Sequence, residues 1–224
     1  MLQGIPAILG SKTGSLPYVQ YNTYVPTGVA NVHTIGITYP PKVGNLLVLI
    51  GTGDSTFSPI SGWTKDATNV NNCETTVWSR VATGSETSVQ VKLASVATCV
   101  LAIFEFPTIT AIDKSSSSVE GLNSPTISCG TTASTTSAND IIIAIVSTDQ
   151  FPAGNSPTGP VTAWTAGFNT LLWIRSTLNS PSINTEMSIA LYKASSISTF
   201  TATATMTNLV SIVNGSQGLL VCYK

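Results

Sequence analysis

The single histidine limits the nucleophilic chemistry that this chain can perform. A serine–histidine–aspartate hydrolase would have to use His33, because the 224 residues contain no other histidine. The chain also lacks the G-x-S-x-G sequence that exposes a catalytic serine on a sharp turn. His33 is therefore interpreted as a polar residue near the first strand, and a hydrolytic triad is not expected.

Four carboxylates stand where a pair could hydrolyse a glycosidic bond. Asp54 and Asp149 follow apolar runs at matching positions in the two halves of the chain, and Asp140 precedes the second run. We favour turns over catalysis here, because an aspartate at a strand end bonds its own backbone. Glu105 lies in an apolar run and is expected to point to solvent from an edge or to pair with a cation. The sequence thus predicts no catalytic residue and no enzymatic activity.

The four tryptophans have two alternative uses, in the core or on a sugar ring. Trp78 and Trp173 lie inside strand patterns and are expected in the core. Trp63 and Trp164 lie beside loops, where we expect them to close the ends of a sandwich. Stacking on a bound sugar is the alternative for these two residues.

The cysteines and acidic residues do not form a metal site. The cysteines are Cys73, Cys99, Cys129 and Cys222. None of them forms a C-x-x-C pair and acidic clusters are absent, so neither a metal nor a cofactor is expected. Cys99 and Cys222 lie in apolar runs and are expected to be buried free thiols, although the even number also permits two disulfides.

Charge is scarce along the chain. Charged residues make up 8% of the sequence, against roughly 25% in ordinary soluble domains. The net charge is -1 and the cations are scattered singly, so a nucleic-acid partner is not expected. No apolar run approaches the roughly 20 residues of a membrane span, and no signal peptide is recognisable. We expect a protein made in a cytoplasm, without a membrane partner, whose charge-poor surface suits an assembly.

Short apolar or alternating runs, separated by Gly, Pro, Asn and Ser, predict an all-β fold, an antiparallel β-sandwich. Residues 46–50 form a continuous apolar run, as expected of a strand buried on both faces. Residues 115–118 read as a polar tract between the halves. The predicted strands are 32–39, 46–50, 75–81, 87–93, 99–106, 126–129, 141–146, 171–175, 187–193, 200–206 and 218–223.

Residues 1–30 are rich in Gly and Pro and show no sustained period. We therefore predict an extended N-terminal arm, held either by the protein's own body or by a neighbour. Apolar residues that could anchor this arm in an assembly are Leu2, Ile5, Ile8, Leu9, Leu16, Tyr18, Tyr21 and Tyr24.

The remainder, 31–224, contains two similar halves, at about 31–110 and 126–224. The run GNLLVLIGTGD from Gly44 resembles ANDIIIAIVSTD from Ala138, and Trp78 aligns with Tyr192. We predict a single jelly-roll-like domain whose halves face each other across one core. Two separate small domains are the alternative.

Four motifs in the first half resemble a pattern of bacteriophage virion proteins. They are GNLLV at 44–48, SGWT at 61–64, WSRVA at 78–82 and TGSE at 83–86, within a similarity that spans roughly 35–110. The resemblance implies a jelly-roll-like sandwich in a capsid decoration, tail or fibre protein. It implies location on a virion.

The resemblance and the arm together favour a capsid decoration (cement) protein. Such a protein would bind the major capsid protein or other virion proteins and would form a homo-oligomer, with a trimer favoured. The alternative is a tail, baseplate or fibre module that binds a host-surface glycan or receptor. In that case the Pro- and Gly-rich loop at 150–160 would carry recognition, through Phe151, Asn155 and the nearby Trp164.

Overall fold

The protein is built of antiparallel β-strands. The computed structural model describes residues 17–71, 73–120, 124–149, 161–165, 167–176, 185–206 and 216–224. These residues form fifteen strands and no helix, so the described part of the chain holds no helix that could cross a membrane. The predicted all-β sandwich class is confirmed, while the jelly-roll assignment stays a prediction.

The first half of the chain supplies the strands β1 to β7. They are β1 Gln20–Tyr24, β2 Ala30–Gly36, β3 Leu46–Gly53, β4 Thr64–Val70, β5 Glu74–Val81, β6 Ser88–Ala97 and β7 Cys99–Phe106. Five of them form one large sheet in the order β1-β7-β3-β5-β4, and β2 pairs with β6 in a small second sheet.

The second half supplies β8 to β15 and repeats this plan. The strands are β8 Ile112–Glu120, β9 Thr126–Thr131, β10 Ile141–Asp149, β11 Val161–Trp164, β12 Asn169–Arg175, β13 Thr185–Lys193, β14 Thr201–Met206 and β15 Ser216–Tyr223. The large sheet has the order β12-β13-β10-β15-β8, and the small sheet has the order β11-β14-β9. Among the described strands, β11 has no counterpart of strand length in the first half, where an isolated bridge between Phe57 and Leu93 takes its place.

Four sheets are stacked as layers, with the two five-stranded sheets in the middle. Alternate residues of β3 show the arrangement. Val48 and Ile50 enter the core between the two large sheets, whereas Leu49 enters the core beneath the small β2–β6 sheet. In β10, Ile143 faces the shared core and Ala144 faces the three-stranded sheet. Both faces of these strands are buried, as their continuous apolar sequences predict.

The pairing registers show which residues of the two halves are equivalent. Leu46 lies opposite Val81 and Phe106, and Ile141 lies opposite Lys193 and Tyr223. A β-bulge occurs at the same place in β4, after Lys65, and in β12, after Thr170. By this register Trp78 corresponds to Ala190, so the alignment of Trp78 with Tyr192 was wrong by two residues.

Four strands lie where the sequence predicted none, namely β1, β4, β8 and β11, and the first and third of these show why. β1 falls within the predicted arm and pairs with β7, with Tyr21 opposite Phe104. β8 includes the polar tract and pairs with β15, with Ser116 opposite Leu220. Both are edge strands of large sheets, and backbone pairing with an apolar neighbour specifies them where their own side chains do not.

The ends of the strands define two ends of the molecule. Val19 and Lys224 lie at one end, here called the terminus end, because β1 starts and β15 finishes there. The opposite end, here called the loop end, holds the last residues of β3 and β10. Both halves share it, since Thr52 near the end of β3 contacts Met187 near the start of β13.

Candidate functional site

Two buried glutamates occupy equivalent positions at the loop end, and the sequence analysis identified neither. Glu74 is the first residue of β5 and lies opposite Val70 of β4. Glu186 is the second residue of β13 and lies opposite Arg175 of β12. Each points from its large sheet toward the small sheet of its own half, so the two carboxylates can be compared as a matched pair.

Glu74 is fully satisfied by hydrogen bonds. Its Oε2 accepts the backbone N–H of Phe57 at 3.0 Å. Its Oε1 receives the Lys65 ammonium at 3.2 Å and the Thr76 hydroxyl at 2.6 Å. Thr68 adds a longer hydroxyl contact at 3.3 Å. A buried carboxylate with this many donors has a structural role.

Glu186 has the same place in the fold but lacks such partners. It is 2% exposed, and neither carboxylate oxygen accepts a hydrogen bond of ordinary geometry. Burial raises the pKa of Glu186 to about 7, while the nearby Trp173 indole and the Arg175 charge act in the opposite direction. The charged form is therefore disfavoured in this structure relative to water.

Several hydroxyl groups around Glu186 are also buried without hydrogen-bond partners. Thr148 lies opposite Glu186 on β10, and Ser216 lies opposite Thr148 on β15. Ser188 follows two residues after Glu186 on the same face of β13. The side-chain oxygens of all three are unpartnered. Each such group costs about 1–3 kcal/mol, so an array of this kind is unusual in a finished core and marks a place where a ligand could bind.

The residues considered for catalysis are not brought together. His33 is buried, with the Tyr24 hydroxyl 3.2 Å from Nδ1 and the Ala30 carbonyl 3.1 Å from Nε2. Burial lowers its pKa, against the effect of its hydrogen bonds to backbone. Asp54 accepts the Thr98 hydroxyl at 2.9 Å at the end of β3. The backbone of Asp149 pairs with Thr185, and its side chain lies outside the described residues.

The expectation for Glu105 was wrong. It is buried rather than directed to solvent, and its partners are amides rather than a cation. Its Oε1 accepts the Asn45 side-chain amide at 2.5 Å and the Lys42 backbone N–H at 2.8 Å. Its Oε2 accepts the Gln20 amide at 2.6 Å. These donors come from β1 and from the segment before β3, so Glu105 closes the terminus end of the first half.

The equivalent corner of the second half holds a pair of aspartates. Asp140 stands where the first half has Asn45, and burial together with the adjacent Asp113 carboxylate raises its pKa to about 6. Burial also opposes ionisation of Asp113, but hydrogen bonds from Thr136 outweigh it and hold the Asp113 pKa well below its usual range. Lys224 lies 3.4 Å from Asp113. The corner is a carboxyl–carboxylate pair tied to the last residue of the chain.

Trp164 is partly buried, whereas Trp173 is exposed. Trp164 packs against Phe168 at a ring distance of 6.5 Å and covers the core beneath the three-stranded sheet, as expected. Trp173 was expected in the core, and that was wrong, because its side chain is 37% exposed. β12 is an edge strand, and Trp173 points away from the shared core that Leu172 and Ile174 enter.

The arm anchors fall into two groups. Tyr18 and Tyr21 pack on the protein's own core, with Tyr21 stacked on Phe104 at 5.8 Å, and Tyr24 packs beside His33. Docking of these three on a neighbour stays a prediction. Outside the described residues lie Leu2, Ile5, Ile8, Leu9 and Leu16, and so do Phe151 and Asn155 of the predicted recognition loop.

All four cysteines are buried thiols outside any disulfide, as predicted for Cys99 and Cys222. Burial raises the pKa of the Cys129 and Cys222 thiols to about 12. Thiols of this kind pack as small apolar groups and are poor nucleophiles. Across the described ranges, no group of three His, Cys, Asp or Glu side chains could hold a metal ion.

Comparison of the chain with protein-family models, with curated proteins and with solved structures gave no match.

One sequence signal could have located Glu186. β5 begins with Glu-Thr-Thr-Val at 74–77, and β13 has Glu-Met-Ser-Ile at 186–189 directly after its first residue, Thr185. The glutamate is followed by a hydroxyl residue two positions later in both, which places the two on one face of the strand. The different partners of the two glutamates depend on the neighbouring strands, and no local pattern gives those.

Proposed function

We propose that the chain is a non-enzymatic structural protein of a virion, of the capsid decoration type, that binds neighbouring subunits through its terminus end. One observation carries the proposal. Four apolar side chains at this end are each more than half exposed, namely Val19, Tyr39, Val43 and Val81. Tyr39 bonds to Gln20 of β1, next to Val19, and the segments of Val43 and Val81 bond to each other through Gly44, Asn45 and Ala82.

The chemistry of this end suits a protein partner. Exposed apolar side chains that gather in one place mark interaction surfaces, and interface centres are depleted in charge. Most of the predicted anchors belong to residues 1–16, which precede Val19 in the sequence. The major capsid protein is the proposed partner, and a homo-oligomer, with a trimer favoured, is the proposed state on the particle.

Particle binding by truncated and substituted proteins tests the proposal. The truncation should remove residues 2–16 and keep β1, because Tyr21 stacks on Phe104 of β7. We expect this truncation and Val43→Asp to reduce co-sedimentation with capsids by roughly tenfold or more. Val96→Asp is the matched control, since Val96 is also more than half exposed but lies at the loop end. Unchanged binding by both terminus-end variants would contradict the proposal.

A host-surface-binding module is the second candidate function, and the opposition of the two ends favours it. Val19 and Lys224 lie at the terminus end, which would attach to a virion, and the loop end would face outward. The second half has longer connections there: residues 176–184 replace 71–73, and residues 207–215 replace residue 98. Extended connections on a rigid scaffold commonly carry recognition. Binding of fluorescent protein to host cells, competed by host-surface glycans, tests this candidate.

A further inference from the structure

In the first half of the protein, the equivalent of Glu186 is Glu74, and a lysine neutralises its charge. Glu74 receives an ammonium group from Lys65, whose Nζ lies 3.2 Å from Oε1. The register places Thr170 of the second half at the position of Lys65, just before the matching bulge. The second half therefore retains the buried carboxylate and lacks the lysine that neutralises it.

The strand face that carries Glu186 runs from a buried carboxylate to an exposed aromatic side chain at the edge strand β12. Trp173 and Arg175 lie on the edge strand β12 with their side chains on the same face, directly opposite Ser188 and Glu186 of β13. We call these four residues the Glu186 face. Trp173 is 37% exposed and Glu186 is 2% exposed, so the face grades from an open aromatic ring to a buried carboxylate. Neighbours across adjacent strands are about 5 Å apart, which is the scale of one sugar ring.

The chemistry of this face selects among ligand classes. A phosphate or sulfate would meet the Glu186 carboxylate, and a cation would meet the Arg175 guanidinium. A metal ion would need further ligands, and the described residues supply no group of three His, Cys, Asp or Glu. A neutral polyhydroxyl ligand fits all of the groups, because its hydroxyls can donate to Glu186 and Ser188 and accept from Arg175. Its C–H face can stack on the Trp173 indole.

We propose that the Glu186 face binds a carbohydrate, with Trp173 as the stacking surface and the Glu186 carboxylate as the acceptor of ligand hydroxyl groups. This inference rests on the second of the proposed functions, the host-surface-binding module. It differs from the use of Trp164, whose ring packs against Phe168. The ligand approaches from the β12 edge and donates hydrogen bonds of ordinary geometry to Glu186, whose oxygens accept none in this structure.

Binding of the full chain to a panel of neutral hexose and N-acetylhexosamine oligosaccharides, followed by saturation-transfer NMR and calorimetry, tests the inference. We expect binding by the wild type, loss of binding in Trp173→Ala, and at least roughly tenfold weaker binding in Glu186→Gln, the change expected for loss of one charge-assisted hydrogen bond. Glu74→Gln is the matched control and should bind as the wild type does. Absence of binding to the whole panel, or equal affinities in all variants, would overturn the inference.

A second variant separates ligand binding from a structural role. Thr170→Lys places an ammonium where the first half has Lys65, and Thr170 is exposed, so the change should be tolerated in folding. We expect it to raise the midpoint of unfolding and to abolish carbohydrate binding, because the introduced lysine occupies the carboxylate. Retention of binding with full affinity would show that Glu186 is not the acceptor. Capsid co-sedimentation should be unaffected in every one of these variants, so failure of this inference and failure of the assembly proposal are distinguishable.

Discussion

The hydroxyl of Thr75 in the first half lies 2.6 Å from the hydroxyl of Ser147 in the second half, across the core that the two large sheets share. Thr75 is paired with Thr52 in its own sheet, and Ser147 is paired with Met187. These two partners also meet across the core, since Thr52 Oγ1 lies 3.4 Å from Met187 Sδ. Exchange of the two halves converts one contact into the other. This reciprocity is the property of an isologous dimer interface, here built within one chain.

Such an interface makes the two halves one unfolding unit. The shared core contains Val48 and Phe104 of the first half and Ile143 and Leu219 of the second. Neither half could lose its fold without exposing the large sheet of the other, so we expect a single two-state transition in urea. Tryptophan fluorescence and far-UV circular dichroism should give coincident curves. Two separated transitions would contradict a shared core.

Thr75 is the residue whose removal should weaken the interface most. Its hydroxyl lies 2.6 Å from Ser147 and also accepts the Gln217 side-chain amide at 2.8 Å. Thr75→Val keeps the shape and leaves those two groups without this partner, so we expect a loss of about 1–3 kcal/mol in the free energy of unfolding. Urea denaturation measures it. Thr131→Val is the control, because its hydroxyl bond to Thr201 is exposed and should contribute little.

The same substitution should have opposite effects at the two equivalent glutamates. Glu74→Gln removes the ion pair with Lys65 from a fully satisfied site, and we expect destabilisation by about 2 kcal/mol near neutral pH. Glu186→Gln removes a buried charge that accepts no hydrogen bond of ordinary geometry and whose burial outweighs the effects of Trp173 and Arg175, and we expect stabilisation. Thermal and urea unfolding of both variants at pH 8 measure the signs. Equal destabilisation would show that Glu186 has a satisfied structural role after all.

The pH dependence of stability should reveal Glu186. Burial raises its pKa from 4.5 to about 7, so the native state binds more protons than the unfolded state between these values. The free energy of unfolding therefore falls as pH rises through this window, by roughly 3 kcal/mol in total. The difference between wild type and Glu186→Gln isolates this effect from that of Asp140. We expect Glu186→Gln to gain over wild type from pH 4.5 to pH 7 and to keep a constant advantage above it.

The interior strands could be predicted from sequence, whereas the polar contacts could not. Residues 46–50 and 141–146 are apolar at every position, and only a strand buried on both faces suits such runs. β8 was missed because serine has little preference for strands, and pairing with β15 fixes it instead. Glu105 was misjudged because its donors, Gln20 and Asn45, are distant in sequence. The Glu186 site depends on which residues lie across from it, and that information exists only in the sheet register.

Gly218 in β15 should be intolerant of any side chain. A Cβ atom there would lie 2.0 Å from the Ser128 carbonyl oxygen and 2.6 Å from its carbon, because β9 packs directly on the β15 backbone. Backbone atoms cannot move aside as a flexible side chain can, so Gly218→Ala must separate β9 from the large sheet. We expect a loss of about 3 kcal/mol or more, or failure to fold.

Gly36→Ala is the matched control for Gly218→Ala, since Gly36 also lies in a strand and its added Cβ would meet only the Asn22 side-chain nitrogen at 3.7 Å. We expect that variant to unfold within about 1 kcal/mol of the wild type. Chemical denaturation of the two proteins side by side measures the contrast. Near-wild-type stability of Gly218→Ala would mean that β9 and β15 are farther apart than the structure places them. The three-stranded sheet would then also lie farther from the large sheet that carries Glu186.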